Sequence, residues 1–351
     1  MKLLFNLSGD CIDLAREEIK SLFKVKNYKL IDKLLIVDIN ISEKMVFSSK
    51  KSLCQNRLAF TKSIYKFLFE CNNKDLIENM KNYDWNSIYK DNFCLRISKK
   101  ISLKRNFFAK NFFERDLAKY IWHAVKNPKV NLENPKTRID LFFIGDNVYC
   151  GLLVNELHNN FNSRKAHLRP FHHPSSLHPK IARALINLTG AKENECVLDP
   201  FCGSGGILIE AGLMGINVVG YDVDKKMIEG CQKNLQYFNI KKYEIFNADA
   251  LKISKKFDYI VTDLPYGLNS NLYAQLEKIN IKINESNKKK LEHFFLVFLK
   301  RLKKIYIKKA VIVFPDFVDY RRIIKQSRLK LKNEFYFYVH KNLSRKAVVL
   351  E

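Results

Sequence analysis

Four carboxylates close four successive apolar runs in the second half of the chain. Asp199 ends Val197-Leu198-Asp199, and Asp222 ends Val219-Gly220-Tyr221-Asp222. Asp249 follows Ile245-Phe246-Asn247-Ala248, and Asp263 ends Tyr259-Ile260-Val261-Thr262-Asp263. A glycine-rich turn, Gly203-Ser204-Gly205-Gly206, follows the first of them and leads into an apolar run. Strand, glycine turn and helix in that order form a nucleotide-binding first turn, because glycine lets the backbone approach a ligand closely. A dinucleotide fingerprint needs G-x-G-x-x-G, but Leu208 stands where the third glycine belongs. Asp199, four residues before Gly203, would repel a pyrophosphate and suits a cationic group. S-adenosylmethionine, with a sulfonium, an ammonium and no phosphate, meets those conditions. Asp222 is placed to accept two ribose hydroxyls and Asp249 to accept from an adenine amine. The competing reading is that these acids cap the helices that follow.

The fourth run continues into Asp263-Leu264-Pro265-Tyr266-Gly267. Methyl transfer to an exocyclic base amine needs two acceptors for the amine protons, so that the nitrogen lone pair turns out of the base plane. The Asp263 carboxylate and the Leu264 carbonyl supply them. Pro265 stiffens the turn, and the Tyr266 ring can stack on the base. Such catalysis is positioning and electrostatics, without metal or covalent intermediate. A carboxylate only accepts, which favours guanine N2, flanked by the N1–H donor, over adenine N6. Cytosine N4 stays open. A cysteine nucleophile is the rival mechanism, but Cys202 and Cys231 do not follow the fourth run.

The elements that must carry these residues follow from periodicity. Residues 181–351 alternate as an α/β domain. Strands are expected at Cys196–Asp199, Val218–Asp222, Tyr243–Asn247, Tyr259–Asp263, Ala310–Phe314, Glu334–His340 and Lys346–Leu350. Helices are expected at Gly206–Met214, Lys225–Tyr237, Asn287–Lys303 and Val318–Gln326. The last two strands read as an antiparallel hairpin. Residues 1–50 read strand, helix (Cys11–Phe23), strand, strand, a small α+β module. Residues 51–155 form a second unit, with strands Phe93–Ser98, Asp140–Ile144 and Asn147–Leu153 and a helix at Phe112–Val125. Residues 156–180, rich in His, Pro and basic side chains, read as an irregular connector.

Composition bounds the function. The 351 residues carry 48 Lys and 14 Arg against 36 acidic residues, a net charge of +26. Either an anionic partner or a Lys-rich coding bias explains this. With 47% hydrophobic residues, global disorder is excluded. No apolar stretch is long enough to span a membrane, and no secretory leader is read at the N-terminus. The eight Cys form no CxxC pair, so reduced thiols and a cytoplasmic location are expected. The His residues between 158 and 178 match no usual ligand spacing, and no metal is expected.

DPFCGSGGILIEAG, GYD, NADA and DLPYG, in this order, resemble the class I, seven-stranded methyltransferases that act on guanine N2 in RNA. The connector RKAHLRPFHHPSSLHPKIARALINLTG resembles the segment before the cofactor turn in archaeal tRNA (guanine-10, N2)-methyltransferases. NLENPKTRID and NVYCGLLVNE look like a THUMP RNA-binding domain, and residues 1–50 like the ferredoxin-like module that accompanies it. The resemblance implies a Rossmann-like methyltransferase domain at 181–351, a THUMP domain at 51–155 and a linker at 156–180 that lines the cofactor pocket. It implies that S-adenosylmethionine is held by Asp199, Phe201, Gly203, Gly205, Asp222, Val223, Asp249 and Ala250, with His173 and Pro174 from the linker. It implies catalysis by Asp263, Leu264, Pro265 and Tyr266, adding one or two methyl groups to guanosine 10. The THUMP domain would take the acceptor end of tRNA; Lys99, Lys100, Lys104, Arg105 and Lys110, interleaved with Phe107 and Phe108, suit single-stranded RNA there, and Arg164, Lys165 and Arg169 of the linker are further candidate RNA contacts. A monomer acting on neither DNA nor membrane is expected. Many relatives have proline where Leu264 stands, which leaves this turn less rigid. Another tRNA position, rRNA, DNA adenine, and a catalytically idle RNA-binding protein are the alternatives.

Overall fold

The computed structural model describes residues 1–40, 57–98, 112–173, 176–265, 285–340 and 343–351. The chain divides into two compact units. The first comprises Met1–Ile12, Phe23–Gln55 and Phe60–His158; the second comprises Asp13–Leu22, Asn56–Ala59 and Asn159–Glu351.

The first unit is built on one seven-stranded sheet. Its strands are β1 (Lys2–Leu7), β2 (Val25–Ile31), β3 (Leu34–Ile39), β4 (Thr61–Asn72), β5 (Phe93–Ser98), β6 (Thr137–Ile144) and β7 (Asn147–Glu156), in spatial order β2-β3-β1-β4-β7-β6-β5. β1 pairs antiparallel with both β3 and β4. The sheet therefore runs through the division expected at residue 50. Helices Leu76–Asn82 and Glu114–Ala124 bury Leu76, Met80, Leu117 and Ile121 against Trp85, Phe93, Leu95, Leu141 and Phe143. Buried side chains of this size each stabilise the fold by about 1.5–3 kcal/mol. The Tyr65 hydroxyl donates to Asp140 at 2.8 Å, and Arg138 forks onto the same carboxylate at 3.0 Å through Nε and Nη2. The buried Asp140 is thus fully engaged.

The second unit carries β8 (Cys196–Asp199), β9 (Asn217–Asp222), β10 (Tyr243–Asn247), β11 (Phe257–Asp263), β12 (Tyr306–Pro315), β13 (Leu331–His340) and β14 (Leu343–Leu350). The order is β10-β9-β8-β11-β12-β14-β13, with β8 to β12 parallel and β14 antiparallel to both neighbours. Strand order reverses between β8 and β11, the switch point at whose carboxyl edge ligands bind in open α/β sheets. The last two strands do form the expected hairpin. Helix Glu285–Ile305 packs Phe295, Phe298 and Leu302 under the sheet residues Ile260, Ile312 and Phe314, all fully buried. Helix Pro179–Thr189 adds an element absent from the periodicity reading. It starts with Pro179 at its first turn and stops at Gly190, whose φ of 78° gives the left-handed cap that favours glycine.

Candidate active site

Every acid expected at a strand tip lies at the carboxyl edge of the second sheet. Asp199, 1% exposed, ends β8. One of its oxygens accepts from the Phe201 N–H at 3.1 Å and the Thr262 hydroxyl at 2.7 Å. Thr262 is the residue before Asp263, so the two sides of the switch point are joined by this bond. Burial, reinforced by the nearby charges of Asp263 and Asp222, outweighs those two hydrogen bonds and pushes the Asp199 carboxyl up to about 7.

The glycine turn lies next to it. Gly203 (φ 49°) and Gly205 (φ 83°) both hold left-handed backbone. A Cβ on Gly203 would meet nothing within 4 Å, so its backbone faces open space; one on Gly205 would meet Cys231 Sγ at 2.7 Å. Gly203 N–H donates to Asp222 at 2.9 Å, and the second Asp222 oxygen accepts from the Asp224 N–H at 2.9 Å. Asp222 thus braces the turn from β9 and keeps further lone pairs for a ligand. Its carboxyl is raised by burial, against the lowering effect of those backbone bonds. Asp249 accepts from the Leu251 N–H at 2.9 Å as the cap of a short helical turn. The capping role weighed for Asp249 is therefore real, and the side chain remains half-buried at the edge.

The neighbours of these acids differ among themselves. Phe201 packs edge-on against Phe298 at 4.8 Å, holding the entrance of the turn to the core. Val223 is 72% exposed, and Ala250 at 2% is part of the core. His173 is half-buried, and burial lowers its pKa against the pull of Asp224 and Asp222, which places it on the Asp222 side. Pro174 lies outside the described residues. Asn234, which the sequence reading missed, is fully buried and pins the connector to the glycine turn. Its amide donates to the Phe171 carbonyl at 2.7 Å and the Ser204 carbonyl at 2.9 Å, and accepts from the Phe171 N–H at 3.0 Å.

Asp263 ends β11, with Leu264 and Pro265 directly after it. Leu264 is fully buried and its N–H donates to the Val313 carbonyl at 3.1 Å, continuing the β11–β12 pairing by one residue. A proline could not make that bond, so Leu264 extends the strand by one residue before Pro265. Tyr266 lies outside the described residues. Arg345 is a second unforeseen member. It is 2% exposed, and its Nη1 donates to Asp263 Oδ2 at 2.5 Å.

Two expected RNA contacts are corrected by their surroundings. Arg164 forks onto Glu210 at 2.7 and 3.2 Å, and Arg169 is only 4% exposed. Arg164 is half-buried and committed to Glu210, and Arg169 lies in the interior of the unit, where a phosphodiester backbone cannot follow. Lys165 is half-buried between two helical turns. Lys99, Lys100, Lys104, Arg105 and Lys110 lie outside the described residues. Among the described residues no cluster of His, Cys, Asp and Glu could hold a metal ion, and no helix is long and apolar enough to cross a membrane.

Residues 166–345 match the RMKL-like methyltransferase domain family, and residues 33–233 match a DNA methylase family. The second match stops before Asp263 and so covers the glycine turn without Asp263-Leu264-Pro265. The chain is 32% identical to the tRNA (guanine(10)-N2)-dimethyltransferase of Methanothermobacter thermautotrophicus, covering 85% of this chain and 84% of that one. It is likewise 32% identical to the protein of that name from Pyrococcus abyssi, over 97% and 96% of the two chains. The chain belongs to the tRNA (guanine(10)-N2)-dimethyltransferase family. TrmN from Thermus thermophilus shares the fold of this family member, with a TM-score of 0.50 at 18% identity, over 100% of this chain and 99% of that one. A possible methylase from Clostridium difficile also matches, with a TM-score of 0.51 at 17% identity, over 99% and 97% of the chains.

The methyl donor of a methyltransferase domain of this kind is S-adenosylmethionine. The residues of this dimethyltransferase family member fit it. The open backbone at Gly203 leaves room for close approach, and Asp199, Asp222 and Asp249 are acceptors matched to an ammonium, ribose hydroxyls and an adenine amine.

Proposed function

We propose that this chain transfers one or two methyl groups to the exocyclic N2 of guanosine 10 in tRNA. The observation that carries the reading is the placement of Asp263-Leu264-Pro265 at the carboxyl edge of β11, across the switch point from the glycine turn. S-adenosylmethionine, when bound, supplies an electrophilic methyl group. The chain's own groups do the rest. Asp263 accepts one amine N–H, and the Leu264 carbonyl accepts the other. The nitrogen lone pair is thereby turned out of the base plane, while Pro265 limits the turn's freedom and Tyr266 stacks on the base. A carboxylate cannot donate to adenine N1, so guanine is favoured.

In this reading Asp199, Phe201, Gly203, Gly205, Asp222, Val223 and Asp249 hold the donor, with His173 and Pro174 closing over it. Ala250, whose side chain is in the core, contributes backbone alone. The first unit acts as a THUMP-type module that takes the acceptor end of tRNA, with Lys99, Lys100, Lys104, Arg105 and Lys110 as phosphate contacts. Phe113 and Trp122, 67% and 45% exposed at the two ends of helix Glu114–Ala124, are candidates to stack on unpaired bases. The enzyme works as a cytoplasmic monomer.

A tRNA (guanine(6)-N2)-methyltransferase of Methanocaldococcus jannaschii is also related, at 27% identity over 58% of this chain, which makes position 6 the alternative target. Nucleoside mass spectrometry of unmodified tRNA after incubation with the enzyme and S-adenosylmethionine, with the modified position mapped, decides the matter. N2-methylated guanosine at position 10 is expected. Product at position 6, or on adenosine, would overturn the assignment.

A further inference from the structure

Three guanidinium groups surround one carboxylate beside the glycine turn. Glu210, fully buried on the helix that follows the turn, is bonded by Arg164 at 2.7 and 3.2 Å and by Arg183 at 2.7 Å. Arg169 is the third. Its Nε donates to the Arg164 carbonyl at 2.9 Å, whereas Nη1 and Nη2 are buried without a hydrogen-bond partner among the described residues. Glu18 also acts on Arg183, so Arg169 is the cation of the group with the least compensation. Burial lowers the pKa of Arg169, Arg164 adds repulsion, and Glu210 opposes them. A buried guanidinium with two idle forks is costly unless an anion completes it.

The position of Arg169 restricts what that anion can be. Nη1 lies 3.3 Å and Nη2 3.9 Å from where a Cβ on Gly206 would stand, so the guanidinium rests against the end of the glycine turn. At 4% exposure the side chain is closed to a phosphate of a polymer. Asp199, Asp222 and Asp249 provide acceptors only, and none of them can receive a carboxylate. The α-carboxylate of the donor's amino-acid tail is therefore the one anionic group of S-adenosylmethionine, and the one that acids cannot hold.

We infer that Arg169 is the receptor for the α-carboxylate of the methyl donor, gripping it through Nη1 and Nη2 beside Gly206. This rests on the reading of the glycine turn as the S-adenosylmethionine site. Two parallel N–H···O bonds to a carboxylate are the strong, charge-assisted kind. The connector, anchored to the turn by Asn234, delivers the guanidinium to that place.

The test is calorimetric, on the full chain without tRNA. S-adenosylhomocysteine carries the carboxylate; decarboxylated S-adenosylmethionine keeps the adenosine and the ammonium and lacks it. Arg169→Met is expected to weaken S-adenosylhomocysteine binding about 10–100-fold, the scale of one or two charge-assisted bonds. It should leave the decarboxylated ligand within about threefold of wild type. It should also keep or raise the melting temperature, since a buried unpaired cation is replaced by an apolar chain. Arg169→Lys should fall between wild type and Met for S-adenosylhomocysteine, and it decides the matter if the Met variant does not fold. Unchanged S-adenosylhomocysteine affinity overturns the inference, as does an equal loss for both ligands. Wild-type protein that binds neither ligand would instead overturn the cofactor reading beneath it.

Discussion

Arg345 Nη1 donates to Asp263 Oδ2 at 2.5 Å, and β12 lies between the strands that carry the two residues. The geometry follows from topology. β14 runs antiparallel to its neighbours, so its first residues reach the edge where the parallel strands end. Arg345 stands opposite Pro315 of β12, and Asp263 stands opposite Val313 of the same strand. The pairing fixes one oxygen of the proposed substrate acceptor before any base arrives. Asp263→Asn keeps the shape but presents an amide donor toward the amine. Methyl transfer should fall by about 10²–10³-fold, the cost of losing one preorganised polar contact, with S-adenosylhomocysteine affinity unchanged. Arg345→Met strands the acid. Because Asp263 keeps 14% of its side-chain surface in water, the loss of stability should sit at the low end of the range for breaking a buried pair, about 3 kcal/mol. Adding Asp263→Asn to it should restore part of that loss in urea unfolding. Additive losses would show that the two residues are not coupled.

The raised pKa of Asp199 has a sign that can be measured. Folded Asp199 titrates near 7 and unfolded Asp199 near 3.8. Between those values the folded chain holds one proton more than the unfolded chain. This residue's contribution to unfolding free energy is therefore fully present below about pH 4 and is lost as pH rises to about 7. Three units amount to roughly 4 kcal/mol as an upper figure. Other carboxylates titrate in the same window, so the difference between wild type and Asp199→Asn isolates the effect. A ligand ammonium should also drive the carboxyl to its charged form. Binding of S-adenosylhomocysteine at pH 7 should release about half a proton, and none at pH 9. Calorimetry in two buffers of different ionisation enthalpy reads this directly.

The placement of the acids along the carboxyl edge was legible because it is written in short-range punctuation. A glycine turn flanked by acids at strand tips needs no knowledge of distant residues, and each of those acids does end or follow its expected strand. What stayed hidden was long-range or aperiodic. Arg345 lies 82 residues from Asp263, and only the antiparallel run of β14 joins them. Arg164 and Arg169 read as surface cations because their partner helix is remote in sequence. β4 was missed because its pairing shifts between Ile64 and Tyr65 and again between Phe67 and Phe69, and such bulges destroy the period of two. Helix Pro179–Thr189 opens inside the Pro- and His-rich stretch that reads as a connector, and its polar positions Arg183 and Asn187 are buried rather than solvent-facing.

Gly205 tests the turn itself. Its φ of 83° suits glycine, and any Cβ there would lie 2.7 Å from Cys231 Sγ. Gly205→Ala combines about 1–2 kcal/mol of left-handed strain with that contact. Cys231→Ala, added to it, removes the sulfur and should recover the contact portion while leaving the strain. Thermal unfolding of the four proteins gives both terms. Equal destabilisation with and without the sulfur would mean that the turn yields at the backbone instead.

Leu264 separates the stiffness of the substrate turn from its chemistry. The residue has two jobs here, a fully buried side chain and an N–H that bonds Val313. Proline cannot perform the second, and it fills the first only in part. Leu264→Pro should therefore cost about 1–3 kcal/mol of stability, from one hydrogen bond and imperfect packing. The carbonyl of residue 264, the proposed second acceptor for the base amine, survives the change. Asp263, already in extended backbone as the last residue of β11, suits the conformation a following proline demands. Single-turnover methylation of the variant at saturating tRNA should consequently stay within a few-fold of wild type, although the protein unfolds earlier in urea. If transfer collapsed while stability held, the side chain of Leu264 rather than its carbonyl would be the part the reaction uses.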